Sequence, residues 1–506
     1  MTVLLATLAA RADVYIDSAT FPDANFRNAM LALYPKGYLT QSELNNLTSL
    51  NVANMSISDM TGIEKLTALK TLDCSGNPYM TSLNLNSNTE LTTLNCYSIS
   101  YLTSLSIGSC TNLEIIDCHN TGITSLSLSN HSKLKELYCY STKLTSLTVT
   151  GKSQLTFVNC RSCMWLTDVN IYNNSALTTL YASGCNALTT LNCHSNNLTN
   201  LNMNGSAALK TLKCNNNNNL ATITGLGGCT AITYFDCENC ALTDMYDVNR
   251  MSNLEYLRCN NNKITSLTLT NKTKLTEVYC YSNPNLTTAN IYNNSALTTL
   301  SIYSCPTLST LNCYSNKLSS LNLSGNTALT YLYCYDNQLT SLNVQGCSAL
   351  TEIYCYENKL TSLNVQGCTV LRVLECCNNQ ITTGGMTTLV NSLPTRSITS
   401  PGFLHVLYNT GEGNVFNASH LSTAQAKYWY PRKYDGSNWV DITFGNRGDV
   451  DGDGNVNIDD VTALIDYLLG TNANINQQGA DCDQSGDISI DDVTTLIDYL
   501  LTGLWS

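Results

Sequence analysis

Along most of this chain apolar residues alternate with polar or aromatic ones for four positions, and the pattern then breaks at a turn. In Leu332-Tyr333-Cys334-Tyr335 an extended backbone buries Leu332 and Cys334 and turns Tyr333 and Tyr335 outward. Near-copies run from Leu69 to Asn379, each reading as one short strand. Their cysteines (Cys74, Cys96, Cys118, Cys139, Cys160; Cys193, Cys214, Cys237, Cys259, Cys280; Cys313, Cys334, Cys355, Cys376) are spaced 21 to 23 residues apart within each group. Asn77, Asn196, Asn262, Asn316, Asn337, Asn358 and Asn379 follow three residues after a cysteine, where an amide can bond the turning backbone of the neighbouring coil. An asparagine ladder is expected. Between the cysteine strands lies a second strand such as Leu318-Ser-Ser-Leu321-Asn-Leu323, so each coil holds two half-coils. The gaps Cys160 to Cys193 and Cys280 to Cys313 are both 33 residues, which is three half-coils. Continuous winding then requires the cysteine column to change sheets at each gap: Cys74 to Cys160 on one face, Cys193 to Cys280 on the other, Cys313 to Cys376 back on the first.

A sustained period of this length, with Leu-x-x-Leu-x-Cys-x-x-Asn-x-Leu inside it, resembles a leucine-rich repeat. The expected fold class is mainly β, a leucine-rich-repeat solenoid of two-strand coils with helix-containing caps. Phe26, Met30 and Leu33 are at helical spacing, and Thr40-Gln-Ser-Glu43 is a capping-box pattern, so 13–66 is read as the N-terminal cap. Its Phe21-Pro-Asp-Ala-Asn-Phe26-Arg phrase resembles the N-terminal segment of bacterial surface repeat proteins of the BspA-like and internalin-like kind. The solenoid is assigned 67–380. Over 381–445 the pattern gives way to a helix from Gly384 to Leu393, a strand Phe403–Tyr408, a helix Ser419–Lys427 and a strand Trp439–Phe444, read as the far cap.

Charge separates the last segment from the rest. From Asn446 to Ser506 there are twelve Asp, no Glu and one basic residue, Arg447, a net −11 within a total of −12. The array is nearly neutral, with none of the clustered Lys and Arg that nucleic acid requires. No apolar run is long enough for a membrane span. Residues 1–12, apolar and closing on Ala10-Arg11-Ala12, read as a remnant signal peptide, which points to a bacterial-type secreted or cell-surface protein. Twenty-four Cys in an exported chain raise the question of disulfides. The strand cysteines fall on inward positions with parallel Cβ vectors, which favours buried free thiols; some disulfides, or a metal, are the alternatives.

The acidic segment carries the clearest chemistry. Asp449, Asp451, Asp453, Asn455, Asn457 and Asp460 stand at positions 1, 3, 5, 7, 9 and 12 of a loop with Gly454 at 6. Such spacing gathers oxygens around a hard cation, Asn455 through its carbonyl. Asp481, Asp483, Ser485, Asp487, Ser489 and Asp492 repeat it thirty-two residues later, with two hydroxyls as weaker ligands, so the first loop is expected to bind more tightly. Each loop leads into a helix, Ile458 to Leu469 and Ile490 to Leu501, with Val461, Leu464, Ile465, Leu468 and Val493, Leu496, Ile497, Leu500 as apolar faces. The duplicated loop-helix unit resembles a type I dockerin, a small all-α module over 446–506. The resemblance implies two calcium ions and a cohesin-bearing scaffold protein as partner. It also implies that Ile458, Asp459, Ile490 and Asp491, at loop positions 10 and 11, contact that partner, although they depart from the hydroxyl pair common there. A calcium-stabilised tail with no partner is the alternative.

Outward Tyr138, Tyr140, Tyr279, Tyr281, Tyr314, Tyr333, Tyr335, Tyr354 and Tyr356 form either a ligand face for protein or glycan or ordinary strand-surface packing. No Gly-x-Ser-x-Gly, His-Glu-x-x-His or phosphate loop is present, and the five His are scattered, so catalysis is not expected. Three readings stay open: a secreted non-catalytic binder tethered through its dockerin, an accessory component of a polysaccharide-degrading complex, and an adhesin-like surface protein without a cohesin partner.

Overall fold

The structure is a computed structural model describing residues 13–443, 447–453, 455–471 and 475–505. The proposed signal segment, Gly454 and the expected strand's last residue Phe444 lie outside the described residues. The chain divides into two compact units, one up to Asn337 and one from Gln338.

In the first unit a helix Ala24–Leu33 is capped by Asp23, and a second, Gln41–Asn46, carries the complete Thr40/Glu43 capping box. Phe26 and Met30 are buried, while Leu33 of the same expected face stays exposed. The chain then winds with two strands per coil. On the first face Ser49–Asn51, Thr71–Asp73, Thr93–Asn95, Ile115–Asp117, Glu136–Tyr138, Phe157–Asn159, Thr179–Tyr181, Asn200–Asn202 and Thr222–Thr224 form one sheet. On the second, eight strands from Ser146–Thr148 to Thr299–Ser301 form another, preceded by the separate pair Ser82–Asn84 and Ser104–Ser106. Pairing is parallel and inward residues meet in register, Leu72 with Leu94 and Leu212 with Phe235.

The first face is interrupted by two 3-10 turns, Leu226–Gly228 and Tyr246–Arg250. Continuity survives through them. Thr270 donates to Asn249 Oδ1 at 3.1 Å, and the sheet resumes with Ser266–Thr270, Thr288–Tyr292, Thr310–Asn312 and Tyr331–Tyr333.

This topology carries the cysteine column across the solenoid. Cys74, Cys96, Cys118, Cys139 and Cys160 each follow a strand of the first face, and Cys193, Cys214, Cys237, Cys259 and Cys280 each follow one of the second. Cys313 and Cys334 follow strands of the first again. Winding is uniform, so a 33-residue gap moves the motif by half a turn. All twenty-four cysteines are buried.

Three residues after the second inward position, the side chain points into the turn and bonds the preceding coil. Asn283 Nδ2 donates to the carbonyls of Cys259 (3.2 Å) and Cys280 (2.8 Å), while its Oδ1 accepts from Asn262 N (3.2 Å). Asn217 makes the same kind of bond after Cys214, and Asn88, Asn174, Asn294 and Asn326 make it three residues after Leu or Ile, which widens the ladder beyond the cysteine motif. Cysteine can replace the amide there: Cys163 Sγ donates to Cys139 O at 3.2 Å and Cys185 Sγ to Cys160 O at 3.3 Å. The requirement is a donor for a buried carbonyl, which amide and thiol both meet.

The second unit has parallel strands Glu352–Tyr354, Val373–Glu375, Gly402–Leu407 and Trp429–Tyr434, and an antiparallel edge, Trp439–Asp441. Helices Thr383–Ser392 and Ala418–Gln425 accompany them. The Trp429–Tyr434 strand had no counterpart in the expected order, because Pro431 and its charged neighbours hide its alternation. Three more helices follow, Ile458–Leu468, Gln477–Ala480 and Ile490–Thr502.

Candidate functional site

The acidic segment is built around a small core of Val450, Val461, Leu464, Ala480, Cys482, Val493 and Leu496. Its two ends meet where Arg447 lies 4.3 Å over the Trp505 ring, which stacks on Tyr499 at 3.9 Å. The two long helices start with matching capping boxes: Asn457 with Asp460, and Ser489 with Asp492.

Those caps place the loop carboxylates. Asp460 is fully buried, and its two oxygens accept from the backbone N–H groups of Val450, Asp451 (3.1 Å) and Asn457 (2.8 Å). Asp492 does the same for Asp483 (3.0 Å) and Ser489 (2.8 Å). Around these anchors Asp449, Asp451 and Asp453 each offer an oxygen within 4.8 Å of the others, and so do Asp481, Asp483 and Asp492. Asn455 donates its N–H to Asp453 Oδ1, and the Asp487 carbonyl faces Ser485 Oγ at 3.3 Å. Asn457 and Ser489 spend their side-chain oxygens as helix caps, accepting from Asp459 N and Asp491 N. In the second loop Gly486 holds φ at +93°, a left-handed turn that glycine makes without strain.

The residues fit a hard divalent cation. Asp481 Oδ1 is buried with no hydrogen-bond partner among the described residues. Burial, and then the carboxylates of Asp492 and Asp483, push the Asp481 acid above its ordinary range. A calcium ion would supply the missing positive charge and join loop oxygens that otherwise repel.

The helix faces differ from the amphipathic pattern expected of them. Val461, Leu464, Val493 and Leu496 are buried, but Ile465 and Ile497 are 38% and 39% exposed and Leu468 is 37% exposed. Two short helices sharing one thin core cannot cover a four-residue stripe. Ile458 and Ile490 are each 66% exposed. Asp459 and Asp491 beside them are also exposed.

On the array, the nine expected tyrosines are half-buried, and rings of adjacent coils pack on one another. Tyr314 stacks between Tyr292 (4.5 Å) and Tyr335 (4.6 Å), Tyr281 stacks on Tyr303 (4.6 Å), and Tyr140 stacks on His119 (4.2 Å). The Tyr138 and Tyr279 hydroxyls donate to Glu136 and Glu277 at 2.8 Å, and these bonds push each phenol up to about 12. Tyr333, Tyr354 and Tyr356 share the same outward positions. Tyr97, Tyr172, His194, Tyr234, Tyr256, Tyr292 and Tyr303 complete the rows. Several of them follow Ile rather than Cys, so a cysteine-centred motif passes over them. Among the described residues no helix is long and apolar enough to cross a membrane.

Comparison with known proteins agrees with this division. The family described as dockerin type I domain matches residues 447–501, and the leucine-rich-repeat domain of the endo-β-N-acetylglucosaminidase EndoS matches residues 21–142. Internalin J of Listeria monocytogenes serotype 4b (strain F2365) is 44% identical over 71 residues, which is 13% of this chain and 8% of that protein. The solved functional domain of InlJ from Listeria monocytogenes, described as including a cysteine ladder, is 29% identical, with 74% of this chain and 83% of that one covered at a TM-score of 0.30. An internalin, inlF, from strain 4b F2365 of the same species is 20% identical, with 85% and 100% covered at a TM-score of 0.30. The chain is an internalin-like leucine-rich-repeat protein that carries a type I dockerin domain.

Proposed function

We propose that this is a secreted, non-catalytic binding protein whose repeat array recognises its ligand while the dockerin, loaded with two calcium ions, docks it on a cohesin-bearing scaffold. In this reading 13–66 caps the solenoid of 67–380, 381–445 closes it, and 446–506 is the docking module. The observation that carries the proposal is the pair of matching exposed stripes, Ile458, Thr462, Ile465 and Leu469 against Ile490, Thr494, Ile497 and Leu501. Each stripe begins beside a calcium loop, so the ion would fix the angle at which its helix presents it. Two near-identical stripes also permit docking in two orientations related by a half-turn.

The array's stacked rows present ring edges, hydroxyls and the Arg258 guanidinium, which lies 5.3 Å over Tyr279 and 3.1 Å from Glu238. Tyr and Arg of this kind dominate protein interfaces. A protein ligand is therefore the reading for these rows. The test is capture of the full chain on immobilised cohesins in calcium and in chelator. Capture in calcium that disappears in chelator, and in Ile465→Asp with Ile497→Asp, supports docking. Failure on every cohesin in calcium refutes it.

A further inference from the structure

Sugars stack on the flat face of an aromatic ring, where slightly positive C–H groups meet the negative π cloud. In the tyrosine rows much of this surface is spent, because stacked rings cover one another's facing sides at 4.2 to 4.7 Å. Free faces occur elsewhere. Tyr101 and Trp165 are 64% and 63% exposed, have no ring partner among the described residues, and each stands five residues after its strand cysteine. Both occupy the corner just before a strand of the second face, Ser104–Ser106 and Asp168–Asn170.

The two coils between them are built differently. From the cysteine to the next inward Leu or Val is nine residues after Cys96 and Cys160, but eight after Cys118 and Cys139. The lost residue is in the corner that carries the ring. At Gly122 the corner lies flat on the preceding coil, where a Cβ would meet Ser100 O at 2.8 Å. Residues 125–128 also fail to join the second-face sheet, which breaks between Ser104–Ser106 and Ser146–Thr148. At that break is an open depression of about 480 Å³ whose lining joins Leu126 and Leu128 with hydroxyl residues such as Ser125, Ser127, Ser146 and Thr148. Its one ionisable lining group, Lys152, is tied to Ser129 O at 2.8 Å.

We propose that this segment is a binding site for a neutral carbohydrate chain, the depression of mixed Leu and hydroxyl lining receiving one sugar and Tyr101 and Trp165 stacking its neighbours on either side. Three coil steps separate the two rings, about 14 Å along the solenoid, which suits an oligosaccharide and exceeds a monosaccharide. The lining hydroxyls both donate and accept, matching a polyol, and no unpaired charge calls for an acidic sugar. Exposed Met164 beside Trp165 extends the apolar platform.

The test is affinity electrophoresis of the full chain through gels containing soluble xyloglucan, arabinoxylan, galactomannan or mixed-linkage glucan. At least one should retard the protein, with the apparent affinity falling tenfold or more in Trp165→Ala and in Tyr101→Ala and unchanged in Tyr256→Ala of a stacked row. Both substituted rings are at the surface, and unchanged melting curves would show that folding is intact. No retardation by any of the four, or equal retardation of wild type, Trp165→Ala and Tyr101→Ala, overturns the proposal. Cohesin capture is read separately and is untouched by either result.

Discussion

The repeat array and the dockerin solve the same problem in opposite ways. Both bury polar groups. In the array buried carbonyls find Asn, Cys or Thr donors in the same or an adjacent coil, as Thr142 bonds Cys139 O within its coil and Asn217 bonds Cys193 O of the coil before. No ion is needed. The dockerin instead crowds carboxylates until one of them, Asp481, is left with a buried oxygen and no partner among the described residues. Its core is seven residues, too few to offset that repulsion. Repeated bonds between neutral groups build the array, whereas crowded carboxylates make a module that would answer to a cation.

Removing calcium is the largest expected perturbation. Chelation should abolish the dockerin's own unfolding transition in calorimetry and leave that of the array in place. Alkaline pH should weigh mainly on the array, which holds all the buried thiols but Cys482. Burial pushes Cys74 and Cys313 up to about 12, and Cys110, Cys347 and Cys368 up to about 11, from an ordinary 9.0. The folded state therefore prefers the neutral thiol. That stability is complete below pH 9 and is lost as pH rises from 9 towards 11 or 12, by up to about 1.4 kcal/mol per thiol per pH unit. Urea titrations of the array at pH 8 and pH 10 would read it.

Within the array, Asn283→Ala should cost about 3 kcal/mol by stranding two carbonyls and an N–H, whereas Asn283→Cys should cost about 1 kcal/mol because a donor remains. Equal losses in urea midpoints would show that the amide acts through shape alone. Smallest is a change at the second loop: Ser485→Asp should raise its calcium affinity about tenfold, about 1.4 kcal/mol, in titration calorimetry. An unchanged isotherm would show that position 5 does not touch the ion.

Much of the fold was legible in the residues, because a repeat states its rule many times. The 33-residue gaps announced that the cysteine column crosses the solenoid, and the Thr40/Glu43 capping box named its helix. The full ladder was less visible, since Asn88, Asn174 and Asn294 follow Leu or Ile and a motif centred on Cys skips them. Helical spacing grouped Ile465 and Ile497 with Leu464 and Leu496, but spacing cannot say how wide a stripe the opposing surface will cover. The two acidic loops were easy to find because a hard cation dictates the spacing of its ligands. The break at residues 125–128 was hidden, for it depends on one missing corner residue in two successive coils.

The central claim is that ion dependence is confined to the docking module. Hydrogen exchange of the full chain with calcium and with chelator tests it most directly. The account predicts that chelation strips protection from the helices Ile458–Leu468 and Ile490–Thr502 and leaves the strands from Thr71–Asp73 to Val373–Glu375 unchanged. Equal protection of those helices in both buffers, or loss of protection across the strands, would contradict it.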